Sequence, residues 1–362
     1  MKVIEVTGQH LLSGIGRYGW ELSNGIHKKG MLDMFYKPFK KNHPDSIYHG
    51  QPWVKKIHYR SFRNLHPYLL PFFIRSAIKT NSADIVHAHW FLSGLAISTI
   101  KRANKIITMH DVSLLHLPEQ ESSYIDYYRW AINRFKRLEI PIIVVSNQAK
   151  LDTIKYANYP EHLIHVVYNG INHSQFFPAN NQEKRPKDTF RFVYSGGLGK
   201  RKNVGLLLRA FGLVQQKFPY VELVISGAHP ERTEYPSMKE ELGLKNVRFT
   251  GFIDDNEMAD FYRSGHCMVF PSQYEGFGLA PLESMASGTP VLCAKGGALE
   301  ETSGEGALFF EYDSHDVAAK MEKVMLDETY RGQLTQNGIQ QASKFTWNQT
   351  VDRTLEIYRT LD

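Results

Sequence analysis

Two glutamates, Glu275 and Glu283, stand eight residues apart in the run from Phe270 to Pro290, with Gly276, Gly278 and Pro281 between them. The order reads as a strand, a glycine-bearing loop and the start of a helix. Pro281 suits a first helical turn, where its missing N–H would have no partner, so the amides of Gly276 to Ala280 are expected to face outward at the positive helix end. Such an end binds phosphate without side-chain charge. Carboxylates beside a phosphate would repel it, so Glu275 and Glu283 are better spent on hydroxyl groups, as in sugar recognition. Each alone would pass for an exposed loop residue or a first-turn acid favouring the helix dipole.

A second run, Tyr194 to Asn203, ends a strand in Gly196, Gly197 and Gly199. Lys200, Arg201 and Lys202 follow, before a helix that Asn203 could cap. Glycines and cations in that order again suit phosphate, although a solvated basic turn has the same composition.

Taken together, the segment Glu275-Gly-Phe-Gly-Leu-Ala-Pro-Leu-Glu283 resembles the E-x7-E signature of family 4 of the retaining glycosyltransferases, and the similarity spans nearly the whole chain. That resemblance implies an α/β chain of the GT-B fold, two Rossmann-like doubly wound domains facing across a cleft. It implies that Glu275 meets donor-sugar hydroxyls and that Glu283 holds the nucleotide ribose. The amides of Gly276, Phe277, Gly278 and Leu279 would contact the diphosphate. Lys202 matches the family's phosphate lysine, Gly197 stands where an arginine is usual, and Arg201 is the candidate to supply the missing charge. The segment Val247 to Ile253, with Gly251 and Phe252, resembles the strand and loop under the nucleotide base.

Near the amino end, Gly14, Gly16 and Gly19 formally satisfy a dinucleotide fingerprint. Six residues, Gly8 to Ser13, separate them from the strand, and Asp33 lies in an apolar run, so no clear acidic partner follows. The stretch Gly8 to Gly19 instead resembles the family's flexible Gly-rich loop near the donor phosphates and the acceptor. His110-Asp111 follows a strand, and the run Thr108 to Glu119 resembles the family's His-Asp segment, whose histidine contacts the donor sugar near the reacting carbon. His87 and His89 share one face of a strand, but no third metal ligand has suitable spacing. With no Asp-x-Asp in the chain, a metal-independent reaction is expected, and no cofactor beyond a UDP or GDP sugar as co-substrate.

The elements that must position these residues are short β-branched runs: Val3–Thr7, 84–89, 105–110, 141–146, 164–168, 191–195, 221–226, 267–271 and 290–294. Most are separated by helical patterns. Such alternation predicts parallel, doubly wound sheets with ligands at the carboxyl ends of strands. The polar, proline-bearing stretch 172–189 reads as a linker. The predicted domains are 1–172 on the acceptor side, 173–345 binding the nucleotide sugar, and a helix in 346–362 packing back on the first. Thr346 and Gln349 form a candidate capping box for that helix, and Trp347, Val351, Leu355 and Tyr358 fall on one face of it.

The 362 residues allow two cores, and the net charge of +6 is uneven. Residues 1–172 carry 22 Lys and Arg against 12 Asp and Glu, so the first half is suited to an anionic partner. A lipid-linked phosphate or peripheral membrane contact fits, and the apolar run Tyr68 to Ile74, flanked by Arg63, Arg75 and Lys79, could lie on a membrane surface or pack inside. Nucleic acid does not fit, because no reading motif accompanies the charge. Cys267 and Cys293 lie in apolar runs, which favours a reducing compartment over a disulfide framework. With no signal-peptide pattern at Met1 to Thr7, a cytoplasmic protein is expected, its basic half suited to the inner face of a membrane. The expected activity is hexose transfer, with retention, from a UDP-glucose-like or GDP-mannose-like donor to a glycan or lipid-linked hydroxyl. A sugar-nucleotide epimerase or hydrolase on the same fold, and a non-catalytic subunit of a glycan-assembly complex, are the alternatives.

Overall fold

The computed structural model describes residues 1–9, 13–39, 51–58, 66–79, 83–117, 125–179, 185–186 and 188–361. His10 to Leu12, Pro118, Glu119, Arg63 and part of the expected linker lie outside the described residues. The chain divides into two units, Met1–Gly170 with Trp347–Asp362, and Ile171–Thr346. Thr346 and Gln349 straddle the start of the helix Trp347–Leu361, whose Val351, Leu355 and Tyr358 are buried within the first unit.

The first unit is built on a seven-stranded parallel sheet. Its strands are β1 Val3–Thr7, β2 Leu32–Phe39, β3 Val54–His58, β4 Ile85–His89, β5 Asn104–Met109, β6 Ile142–Val144 and β7 Ile164–Val166. Their order is β3-β2-β1-β4-β5-β6-β7, so the winding reverses between β1 and β4. That is the doubly wound pattern, in which ligands gather where the order reverses. Successive residues of β1 serve opposite faces: Ile4 and Val6 enter one apolar cluster, and Val3 joins Ile85, Ile106 and Ile143 in the other. The helices Gly14–Lys28 and Trp347–Leu361 cover that second face with Tyr18, Leu22, Ile26, Val351, Leu355 and Tyr358.

The second unit repeats the plan with β8 Phe190–Ser195, β9 Val221–Ser226, β10 Val247–Gly251, β11 Cys267–Phe270, β12 Val291–Ala294 and β13 Ala307–Phe310, ordered β10-β9-β8-β11-β12-β13. Here the reversal falls between β8 and β11, the two strands whose following loops carry Lys202 and Glu275. Cys267 and Cys293 are free and fully buried on β11 and β12, and burial pushes both thiols up, as expected of core residues. Among the described residues no helix is long and apolar enough to cross a membrane.

Candidate functional site

The β11 loop is held by its backbone before any side chain acts. Glu275 pairs with Gly297 in a β-bridge, and the Ala298 amide donates to the Glu275 carbonyl at 2.9 Å. Gly297 adopts φ +61°, and a Cβ there would lie 2.4 Å from that carbonyl, so only glycine admits the contact. On the other side the Gln273 amide donates to the Arg201 carbonyl at 2.9 Å, and the Arg201 guanidinium returns a bond to the Tyr274 carbonyl. The loops after β8 and β11 are thereby tied together.

Lys202 Nζ donates to Glu275 Oε1 at 2.5 Å, Ser272 Oγ donates to the same oxygen at 2.5 Å, and Arg201 lies 3.5 Å away. Burial would raise the Glu275 carboxyl, but Lys202 and Arg201 outweigh it and hold the group below the usual carboxylate range. The Lys202 ammonium also sits 5.4 Å from the centre of the Phe270 ring. Arg201, expected to carry charge for a diphosphate, is thus partly committed to bracing the loop. Gly197 faces open space, with nothing within 4 Å of a Cβ built on it.

Gly278 ends the loop at φ +95°, where a Cβ would meet Leu299 at 2.6 Å, and the helix Leu279–Ala286 begins directly after it with Pro281 in its first turn. The amides of Leu279 and Ala280 find no acceptor among the described residues. Two of the amides in the expected run Gly276 to Ala280 are thus without an acceptor at the start of this helix. The Phe277 ring is buried against Phe345, so that residue can offer a ligand only backbone. Glu283 is buried on the same helix, and the Tyr262 hydroxyl donates to its Oε2 at 3.2 Å. Phe252 stands 52 % exposed just beyond β10. One expectation fails here: Asn203 occupies the N-cap of the helix Val204–Lys217 at φ 53°, and its side chain makes no capping bond.

In the first unit, His110 follows β5, and Tyr18 packs edge-on against its ring at 4.7 Å. Burial, with His89 and His87 behind it, pushes the imidazole down to about 3, so it is neutral near pH 7. Its buried Nε2 has no hydrogen-bond partner among the described residues. Gly14 and Gly16 open the helix Gly14–Lys28, with Ser13 Oγ accepting from the Gly16 amide at 3.0 Å. The expected flexible loop is therefore, over Gly14 to Gly19, the first turns of a capped helix. The spacing of Gly19 serves packing, since a Cβ there would come within 2.9 Å of His89.

Behind His110 lies a set that sequence reasoning missed. The parallel register of β1 and β4 places Glu5 opposite His87, so Glu5 is the third ligand-type group that the spacing of His87 and His89 did not reveal. Glu5 Oε1 and both His87 nitrogens are hydrogen-bonded, whereas Glu5 Oε2 and the two His89 nitrogens have no hydrogen-bond partner among the described residues. The Tyr358 hydroxyl donates to Glu5 Oε1 at 2.6 Å, His87 Nδ1 lies 2.6 Å from that hydroxyl, and His87 Nε2 lies 2.7 Å from Thr108 Oγ1. Because a carboxylate only accepts, Tyr358 donates to Glu5 and His87 Nδ1 donates to Tyr358, and the chain continues from His87 Nε2 through Thr108 to Tyr18 at 3.1 Å. His89 Nε2 lies 2.7 Å from Glu5 Oε2. Burial tends to raise Glu5, but His87 and His89 beside it outweigh burial and hold the carboxyl below its ordinary range, while burial lowers His89. The signal available in the sequence was an acid inside an otherwise apolar core strand.

Each unit presents its polar constellation at the reversal point of a doubly wound sheet, and the pair of units is that of a GT-B glycosyltransferase. The fold superposes on sucrose-phosphate synthase from Thermosynechococcus elongatus with a TM-score of 0.84 at 21% identity, covering 100% of this chain and 99% of that one. It superposes on the Anabaena protein Alr3699/HepE, solved with UDP and glucose, with a TM-score of 0.80 at 20% identity, covering 99% and 100%. Residues 12–175 match the model of Glycosyltransferase Family 4 and residues 176–341 that of Glycosyl transferases group 1, the two abutting along the chain. The chain belongs to this family of glycosyltransferases. O-antigen chain mannosyltransferase B of Escherichia coli is 25% identical over 394 residues, covering 100% of both chains.

Proposed function

We propose that the protein transfers a hexose from a UDP or GDP sugar to a hydroxyl of a glycan or lipid-linked acceptor in polysaccharide or glycoconjugate synthesis, with retention of anomeric configuration. The observation that carries this reading is the Lys202–Glu275 pair beside the unpaired amides of Leu279 and Ala280. A bound donor would divide that pair, Lys202 and the amides taking the diphosphate and Glu275 a sugar hydroxyl. As the bond from the anomeric carbon to phosphate breaks, negative charge grows on the diphosphate, where this cation and these amides are already placed to receive it. The acceptor hydroxyl attacks the same face, and the leaving phosphate takes its proton. Charge on the leaving group is met by protein groups alone, so no metal is required. Glu283 takes the ribose, Phe252 and Gly251 border the base, and Gly197 leaves room for the phosphates. In the first unit, neutral His110 offers Nε2 to a sugar oxygen, and the helix end at Gly14 and Gly16 faces phosphate or acceptor.

Lys202→Ala should lower transfer by roughly 10²–10³-fold, the loss typical of removing one charge-stabilising group. The folded state should survive, because Ser272 and Arg201 remain beside Glu275. Melting curves with a panel of UDP and GDP hexoses identify the donor, since a ligand bound only by the native state raises the midpoint. Near-wild-type turnover by a folded Lys202→Ala variant would refute the assignment.

The peripheral membrane contact has support in the first unit. Tyr68 and Phe72 on the helix His66–Ala77 are exposed, as is Trp130 on the helix Ile125–Arg137. Tyr127 joins them, its ring 4.7 Å from Tyr68 and 5.8 Å from Trp130. Arg75 and Arg129 lie on the same two helices, an aromatic and basic composition suited to an anionic lipid surface.

A further inference from the structure

A cavity of about 690 Å3 in the second unit lies away from the donor loops. Two of its lining residues, His266 and Pro290, immediately precede β11 and β12, so it sits at the amino ends of strands whose carboxyl ends carry the donor loops. Its walls carry Arg185, Arg263, Arg331 and His266 against one carboxylate, Glu328. Arg185 is partly buried, and its Nε and Nη2 donate to the carbonyls of Arg263 and Gly288 at 3.1 and 3.2 Å. A guanidinium has five N–H donors, and the other three of Arg185 meet no acceptor among the described residues. No carboxylate among the described residues lies within ion-pairing distance of it.

The neighbours increase the charge. Arg331 also lines the cavity, its Nη1 donating to the carbonyls of Val324 and Met325 at 2.9 and 3.1 Å and its Nη2 lying 3.7 Å from Glu328, a lining carboxylate that is almost fully exposed. Burial and Arg331 together lower Arg185 from its ordinary value, and burial with Arg185, Arg331 and Arg191 pushes His266 down to about 4. His266 Nδ1 accepts from the Arg191 amide at 3.0 Å, so its proton is on Nε2 and the ring adds a donor to the same wall. A partly buried guanidinium facing another cation costs free energy unless an anion completes it.

We propose that this cavity is a second anion site, taking a phosphate-type oxyanion, free or carried on a small hydroxylated molecule, with Arg185 and Arg331 as its principal ligands. The inference does not depend on the donor reading.

The test is melting of the full chain in phosphate against chloride at equal ionic strength. A ligand at a hundredfold its dissociation constant raises the midpoint by on the order of 5 °C in a unit of this size. Inorganic phosphate should produce such a rise in the wild type and equally in Lys202→Ala, which damages only the donor site. Arg185→Met should abolish it. Thr335→Glu, one helical turn beyond Arg331 on the cavity wall, supplies an internal anion and should raise the midpoint in chloride while removing the phosphate response. A larger rise with glucose 6-phosphate than with phosphate identifies the carried form, and the reverse identifies the free ion. Absence of a rise in the wild type, its loss in Lys202→Ala, or its persistence in Thr335→Glu would overturn the proposal.

Discussion

Protonation separates the roles of His110, Glu275 and Glu5. His110 titrates at about 3 in the folded chain and near 6.5 when unfolded, so its neutral form contributes stability above pH 6.5 that is lost as pH falls toward 3. Glu275 and Glu5 are depressed acids, and their contributions persist to lower pH, failing only below about 4.5. Between pH 6.5 and 5 the slope should therefore come from histidine, up to about 2 kcal/mol from His110 alone. Urea unfolding across that range should show His110→Asn losing less stability than the wild type, whereas parallel profiles would mean that His110 is not held neutral by burial. Glu275, Glu283, Lys202 and His110 were legible in the sequence because local chain geometry fixes their spacing around a strand end. Glu5 was not, since its partners are set by strand register, and one acid among Val3, Ile4 and Val6 gives no hint of what faces it. Gly19 misled for a related reason, as a glycine that allows close packing against His89 looks like a glycine that makes a loop.

Helix contact, not loop conformation, explains another glycine. A Cβ on Gly25 would lie 2.3 Å from Val351 Cγ2, so the helices Gly14–Lys28 and Trp347–Leu361 meet without room for a methyl. Val351 is β-branched and stiff at χ1 within a helix, which leaves little means of yielding. Gly25→Ala should thus destabilise the chain by about 1–3 kcal/mol through overpacking, despite the better helix propensity of alanine. A lower urea midpoint at unchanged slope is the expected result, and a raised midpoint would show that the helices can part. Among the elements, nine strands were legible from β-branched runs and a tenth, β10, from the resemblance of its segment. β2, β3 and β13 were not. β2 carries Asp33, Lys37 and Pro38, which interrupt its pattern, and β3 is an edge strand whose Lys55 and Lys56 are exposed. The four-residue β13, Ala-Leu-Phe-Phe, contains no β-branched residue.

Charge and exposed aromatics are properties of larger surfaces, and they bear on where the enzyme works. If the patch of Tyr68, Phe72 and Trp130 meets lipid, vesicles containing phosphatidylglycerol should bind the chain more tightly than purely zwitterionic ones, and added salt should weaken the binding. Phe72→Ser with Trp130→Ser should reduce that binding on the order of tenfold without altering the melting point, because both side chains are exposed. Equal binding to both vesicle types, or none lost in the double variant, would remove the membrane from the account. The division of the chain carries a further consequence, this time for biosynthesis. Residues 1–170 are made first, yet their sheet awaits Tyr358 and Val351 from a segment translated only after residues 171–346. At ~5–20 residues per second the ribosome takes roughly 10–35 s over that interval. The later-made unit can close as soon as it emerges, while the earlier-made one waits with Glu5 and His87 uncovered, so the nascent chain matures in the reverse of its order of synthesis.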